Sequence, residues 1–523
     1  MQSILQYRKL RSDLPSTPLS SDRQDNQLSN PSQNEQQIFV EWDSSLDSSH
    51  PRSWSLAYKI WVCALVSMNV FALDWCSAAD SQASTKIASE FGVSHRTESI
   101  GSALFVVGIA SGALFAGPIT ETVGRNPVYI GGRIVHLVFV LGTALAQNIT
   151  TQLFCRFFAG LGASTILAIH GASIADLFGQ EGRSLAWPFV ALWSFLGTSF
   201  PPIVGAWIAQ STKISWRWTD WIAVMMSATT FVLTIFCLPE TFAPILLKWK
   251  ASKIRKTTGN KRYIAPIESQ SSFSKRLITN LNRALIMSTR EYIVILLGIW
   301  LVVVYIVVFG FLSGMDVLFG KTYAFSRGII GTSFSAIAVG VILNTMFSYY
   351  IAYQHRIRTE RWRIENPRDS RLPPEYRLLS AFPVAFTFPI SLFWLGWTNY
   401  NSVSPWSGLG AVALFGFSWA GIYVSVYHYI FDTYSIYAGS ALASITCGRY
   451  LFGGGIQIIS EDMWGTLGVQ WTCTLLGCLA TILVPVPFVL YVMGERIRKI
   501  SKFASQRLPT TKSDDSSNEK QVA

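Results

Sequence analysis

Asp74, Arg156 and Arg449 each fall inside a run of apolar residues. Even on a lenient insertion scale an ionised side chain at the centre of a bilayer costs about 2.5–3.5 kcal/mol, so such residues are rare without a role. A carboxylate can load and release a proton, whereas a guanidinium keeps its charge and can respond to the carboxylate's change of state. That pairing suits moving a proton rather than breaking a bond. Asp74 lies well beyond the start of the first run. It reads either as a proton-coupling carboxylate or as a group in a wet vestibule where the run ends early. Arg156 in the fourth run reads either as a coupling residue or as the cation of an ion pair that fixes helix packing. Arg449, in the eleventh run, is its counterpart in the second half.

Histidine also titrates in the useful range. His170 and His428 are expected near helix ends, where a polar ring is cheap. His136 lies deep and reads best as a satisfied packing residue. Arg133 sits close enough to an interface for snorkelling to account for it. Aromatic residues make up 14% of the chain, and most are expected as interface anchors or packing. Trp193, Tyr305, Trp419, Tyr423 and Tyr427 fall well inside runs, and as cavity walls they would favour a bulky, flat, partly apolar molecule. A polyamine would need several carboxylates instead, and Asp316 and Asp432 lie only near run ends.

The elements that position these residues are long apolar runs near 59–79, 100–119, 128–146, 153–174, 188–209, 219–238, 291–313, 328–351, 378–397, 405–428, 437–457 and 468–493. About twenty residues at 1.5 Å rise cross a ~30 Å hydrocarbon core. Pro383, Pro389 and Pro405 interrupt some of them, which membrane helices tolerate where neighbours satisfy the freed backbone. The segment from Pro239 to Arg290 carries eleven Lys/Arg against two acids, and the loop at 352–377 holds seven arginines. The loops on the opposite side hold six Lys/Arg together. Cytoplasmic loops accumulate Lys and Arg, so both termini and the central loop are expected in the cytoplasm.

The division that follows is a disordered polar tail (1–58), a first six-helix bundle (59–239), a basic central loop (240–290), a second bundle (291–494) and a C-terminal tail (495–523). The expected fold class is all-α integral membrane, twelve transmembrane helices in two pseudo-symmetric six-helix bundles. Only 14% of the 523 residues are charged, against about a quarter in soluble chains. The net charge of +12 clusters beside apolar spans, which argues against nucleic acid as a partner and for a lipid bilayer. The seven cysteines lie in or beside the runs with no metal or disulfide spacing. No phosphate-binding Gly-rich loop ending in Gly-Lys-Ser/Thr occurs, so neither ATP nor another cofactor is expected. A membrane enzyme and a substrate-sensing receptor are the rival classes, and neither finds a clustered polar site in the loops. The sequon at Asn148 sits too near the membrane for a glycan.

Several motifs then fall in order. Between runs 2 and 3 the chain reads Gly117-Pro118-Ile119-Thr120-Glu121-Thr122-Val123-Gly124-Arg125. Gly124 permits a tight turn, Arg125 places a cation at the interface, and Glu121 can pair with a cation or cap a helix. Run 5 contains Gly197-x-x-x-Pro201-Pro202-x-x-Gly205-Ala206, and run 4 contains Arg156-Phe157-Phe158-Ala159-Gly160. Leu238-Pro239-Glu240-Thr241-Phe242-Ala243-Pro244 follows run 6. Over residues 54–502 this series resembles the major facilitator superfamily, in its fungal branch of twelve-span drug:proton antiporters. The resemblance implies alternating access around a midplane site, a proton gradient as energy source and a small-molecule substrate. It also implies a monomer in the plasma membrane, with the vacuolar membrane as the alternative. Gly117, Glu121, Gly124 and Arg125 would form the conformational-switch motif, and Gly197, Pro201, Pro202 and Gly205 the antiporter motif. Asp74, Arg156 and Arg449 would couple protons. Pro201 and Ala206 replace glycines usual in the antiporter motif, which leaves uptake open beside export. Multidrug, secondary-metabolite and polyamine exporters all belong to this branch.

Overall fold

The structure is a computed structural model, and it describes residues 3, 6, 38–42, 47, 49–269, 273–367 and 372–504. In the first half, α1 (Leu56–Ala78), α3 (His95–Val123), α4 (Arg125–Ala144), α5 (Ile149–Leu177), α6 (Gln180–Gln210) and α7 (Trp218–Cys237) are long and apolar enough to cross a membrane. A short α2 (Ser84–Phe91) lies between the first two of these. Side-chain caps from Ser55, Ser94 and Asn148 satisfy a backbone N–H in the first turns of α1, α3 and α5. These groups would otherwise be unpaired at the helix start.

The second half contains α10 (Tyr292–Met315), α11 (Arg327–Ser333), α12 (Ser335–Glu365), α13 (Ala381–Thr398), α14 (Pro405–Tyr434), α15 (Ala438–Leu483) and α16 (Pro485–Ile500). Among the described residues eleven segments qualify as spans, and the last runs unbroken over 63 residues, Ala438–Ile500. At 1.5 Å per residue it would be about three hydrocarbon thicknesses long. Gly468, at φ 72° and ψ 177°, breaks it. Before the break the helix runs parallel to α10: Ile445 lies beside Gly298, Ile456 beside Gly310, and Trp464 bonds the Gly310 carbonyl at 3.0 Å. After it the chain runs antiparallel to α13, with Cys473 beside Gly396, Phe393 beside Gly477, and Phe382 stacked on Phe488 at 4.2 Å. The segment therefore doubles back, and the twelve-crossing expectation holds in an all-α membrane fold.

Two expectations need correction. The central stretch is structured rather than a loop: α8 (Ala243–Thr258) and α9 (Phe273–Arg290) occupy most of it. Part of the N-terminal tail is also ordered. Strand β1 (Ile38–Phe39) pairs in parallel with β2 (Tyr263–Ile264). Val40, Leu247, Ala251, Ile254 and Tyr263 close a small separate core beneath this pair. Each partner alone is too polar to fold; joined, they bury enough apolar surface to stay together. The Arg255 guanidinium bonds both Glu268 oxygens at 2.8 and 2.9 Å and holds that carboxyl below its ordinary range. Most of the remaining tail expected to be disordered, and the chain beyond residue 504, lie outside the described residues.

The end of the bundle carrying Gly124, Arg183, Arg377 and Arg498 is termed here the basic face. Gly468→Ala would force a side chain into a backbone region that only glycine occupies readily, costing on the order of 1–3 kcal/mol. A lowered thermal midpoint of the purified protein in detergent is the expected outcome, and an unchanged midpoint would contradict the turn.

Candidate functional site at the seam between the halves

The switch motif begins at the basic face. Gly124 has φ 104°, and a Cβ there would stand 2.6 Å from a Glu240 oxygen. Glu240 is fully buried. It accepts from the Arg125 and Asn126 backbone N–H groups at 2.9 and 3.1 Å, and from Thr241 and Phe242 at 3.0 and 2.8 Å. It thus caps the α4 N-terminus, where a negative charge is favoured. The expected partner Glu121 does not: it is exposed and accepts from Asn280 of α9 at 3.1 Å. The Arg125 side chain bonds Asp176 at 3.1 Å and Thr120 at 2.5 Å and lies over the Phe242 ring. Nothing crowds a Cβ at Gly117.

In α6, Gly197 and Gly205 bring the helix against α1. A Cβ at Gly197 would meet the Phe71 carbonyl at 2.7 Å and the Asp74 Cβ at 3.0 Å, and one at Gly205 the Ala79 carbonyl at 3.0 Å. Pro201 and Pro202 are buried in the same helix. On its other side, Gly331 of α11 packs against the Pro202 carbonyl and Ala206. Helix α6 is therefore one place where the halves meet; α3 and α15 are another, where a Cβ at Gly454 would stand 3.1 Å from the Ala103 carbonyl.

At that seam Arg449 is 1% exposed and caged by the faces of Tyr305, Tyr450, Tyr423 and Tyr427, with centroids 4.6, 4.9, 5.1 and 5.7 Å from its guanidinium. Desolvated cation–π contacts of this kind contribute roughly 2 kcal/mol. Trp187 of α6 stacks on Tyr427 at 5.0 Å and on Tyr423 at 6.0 Å, and His170 of α5 stacks on its far side at 5.2 Å. Phe195 presents its edge to Trp419 at 4.5 Å. Asp74 is buried in α1, accepts from the Ser194 hydroxyl, and stands within electrostatic range of Arg449, Tyr305 and Tyr450. Among the described residues Arg449 Nε and Nη1, both Gln457 amide atoms, Trp187 Nε1, Trp419 Nε1 and His170 Nδ1 have no hydrogen-bond partner.

Four of the five predicted aromatics thus converge. Trp193 does not: it is half-buried against Phe71 and Phe189, one helical face away from Trp187. Arg156 is also elsewhere. Its guanidinium joins Asp80 and Asp220 (3.2 Å) and bonds the Cys76 carbonyl at 3.0 Å. That is a buried triad at the end opposite the basic face. Asp80 lies just past the first run and Asp220 is the second residue of the sixth, so a search for charges deep within runs misses them. Arg133 does not snorkel; it is fully buried, with its guanidinium on Asn69. His170 lies under the aromatic stack rather than at a cheap polar end. His136 is satisfied as expected, by the Ala159 carbonyl at 3.0 Å. Trp187, Phe195 and Tyr450 carried no signal beyond being aromatic.

Both ends of the seam are closed. At the basic face Asp432 of α14 pairs with Arg183 at 2.6 Å and with Arg377 at 2.7 Å, and Arg377 also reaches Ser184 of α6. At the opposite face Gln82 bonds the Leu312 carbonyl at 3.0 Å, the Gly328 N–H donates to Gln210, and His95 pairs with Glu461 at 2.7 Å. The geometry is that of an occluded two-half carrier.

Residues 61–457 match the family model described as the Major Facilitator Superfamily, and the chain belongs to that superfamily. It is a multi-pass membrane transporter, not an enzyme. It is 41% identical over 466 residues to the MFS-type transporter kojT of Aspergillus flavus, covering 89% of this chain and 82% of the relative. To a major facilitator superfamily multidrug transporter of Candida albicans it is 31% identical, with 89% and 76% covered. A citrinin biosynthesis cluster MFS transporter of Monascus ruber is likewise 31% identical, with 89% and 92% covered. Among solved structures, a proton:xylose symporter of the superfamily superposes with a TM-score of 0.60 at 16% identity, covering 85% of this chain and 96% of that one. That likeness concerns the fold.

Glu240→Ala would strand several backbone donors and remove the charge at the α4 start. The expected loss is on the order of 3 kcal/mol, read as a lower thermal midpoint, with Glu240→Gln recovering part of it. A Glu240→Ala protein as stable as wild type would overturn the capping role.

Proposed function

We propose that the protein exports small, bulky, partly hydrophobic organic molecules in exchange for protons, by alternating access. The observation that carries this reading is Asp74 and Arg449, one from each half, buried within electrostatic range of one another across an aromatic seam. Asp74 is the proton carrier. With Asp74 ionised, its attraction to Arg449 draws the halves together around an empty site. Protonation removes that attraction, and Arg449 and its unpaired neighbours turn to acceptor oxygens on the substrate. The Tyr305, Trp419, Tyr423, Tyr427 and Trp187 rings offer flat apolar faces, which favour an aromatic or conjugated molecule.

The Arg156 triad ties Asp80 and Asp220 down at the far end of the bundle, leaving Asp74 as the carboxylate of the seam. One carboxylate suits a hydrophobic solute better than a polyamine with several ammonium groups. The names of the relatives, a multidrug transporter and a citrinin-cluster transporter among them, support a drug or secondary metabolite as cargo. The basic face is cytoplasmic on the distribution of Lys and Arg, and the plasma membrane is the proposed location. The working unit is a monomer driven by the proton gradient, without a bound cofactor. Uptake by the same fold is the second reading, favoured by Pro201 and Ala206 in the antiporter motif.

Flux into proteoliposomes under an imposed pH gradient, with citrinin and a panel of aromatic drugs as candidate cargo, tests this. Asp74→Asn should reduce gradient-driven flux to background while substrate counterflow persists. Gradient-driven flux equal to wild type would reject Asp74 as the carrier, and accumulation parallel to the proton flow would favour uptake. Arg449→Lys keeps the charge but loses the planar stacking on four rings, so the apparent KM should rise roughly tenfold.

A further inference from the structure

A cleft of about 310 Å³ opens at the basic end where α6 of the first half meets α12 and α14 of the second. It lies behind α14 from the aromatic seam: Gly421, Val424, Ser425 and His428 face it, whereas Tyr423 and Tyr427 face Arg449. One stripe of α12, at Phe347, Tyr350, Ile351, Gln354, His355 and Arg358, forms its outer wall. These positions recur at helical spacing on one face.

The wall is two-sided in chemistry. Toward the middle of α12 it is apolar, and the neighbouring Leu343, Met346 and Tyr353 are exposed, as a surface bathed in lipid would be. Toward the basic face it gathers cations: Arg358 and Arg377 line the cleft, and His355 and His428 stand beside them. Asp432 is the acid in range, and Arg183 and Arg377 already bind it. No ion pair reaches Arg358 among the described residues. At the basic end of the lining the His428 Nε2 is buried and has no partner among the described residues. An apolar groove ending in the unpaired Arg358 guanidinium and an unpartnered ring nitrogen is complementary to an amphiphile with an anionic head.

We propose that this cleft binds the phosphate head of an anionic bilayer lipid. The head lies among Arg358, His355, Arg377 and His428, and an acyl chain runs along Phe347, Tyr350 and Ile351. The bilayer is the source because the apolar wall continues into the exposed face of α12. Ser184 on the far wall belongs to α6, so the lipid touches both halves. Its head also sits beside Arg377, which closes the latch to Asp432. Lipid occupancy and opening of the basic face are therefore coupled. This inference does not depend on the proposed cargo or on proton coupling.

Native mass spectrometry of the full chain, equilibrated with equal amounts of phosphatidylglycerol and phosphatidylcholine, tests it. The wild type should retain one phosphatidylglycerol in preference to phosphatidylcholine. Arg358→Glu should retain it at least roughly fivefold more weakly, the loss expected from one guanidinium near a lipid surface. Arg361→Glu, one turn removed and outside the cleft lining, should bind as wild type. Both exposed positions leave the fold intact, which the thermal midpoint checks. Equal retention by wild type and Arg358→Glu would overturn the site. If glycerol 3-phosphate alone raised the thermal midpoint as far as the whole lipid, the ligand would be a soluble phosphate and the lipid assignment would fail.

Discussion

Hydrocarbon cannot solvate charge, so every ionised group in the span region must be answered from within the protein. That constraint orders the whole structure. Arg156 is answered by two carboxylates, Arg133 by Asn69, and Arg125 by Asp176. Arg449 is answered by four tyrosine faces and by the field of Asp74. The first three sit against fixed polar partners, although Arg133 Nη1 and Asp220 Oδ2 have none among the described residues. The last has unused donors and a partner that can be neutralised by a proton, which makes it the place where a ligand can alter the balance.

Helix α6 connects this site to the rest of the molecule. Its glycines let it lie against α1 and bring Ser194 to Asp74, while Trp187 and Phe195 reach into the second half. Its first turn supplies Arg183 and Ser184 to the latch on Asp432 and Arg377, and Gln210 at its last residue bonds Gly328. One rigid rod thus touches both gates and the central cage. A small change of attraction at the seam can be transmitted to either end as tilt, because packed helices shift as units rather than deform.

Much of this was legible in the residues. Twelve runs of membrane length, the clustering of cations on alternate loops and the order of the short motifs follow from local composition, and the structure contains each. Asp74 and Arg449 stood out because a charge inside an apolar run is conspicuous wherever its neighbours are. Glu240 was visible only as part of a motif, and its role as the cap of α4 needs a contact across more than a hundred residues. Asp80 and Asp220 were hidden because they lie at span ends, where an acid is ordinary.

Hydropathy and burial cost are properties of each segment alone, so the residues in order are enough to say that the chain crosses lipid twelve times and which buried charges need an explanation. Which charges meet is settled by the packing of the helices. It placed Arg156 in a closed triad and Arg449 in an open cage, and it put Trp187 rather than Trp193 at the seam. It also joined a polar N-terminal strand to the central segment. The physical reason is that helix rotation and neighbour choice depend on packing between distant segments, and a turn of about 100° per residue redirects a side chain without changing the hydropathy of its run.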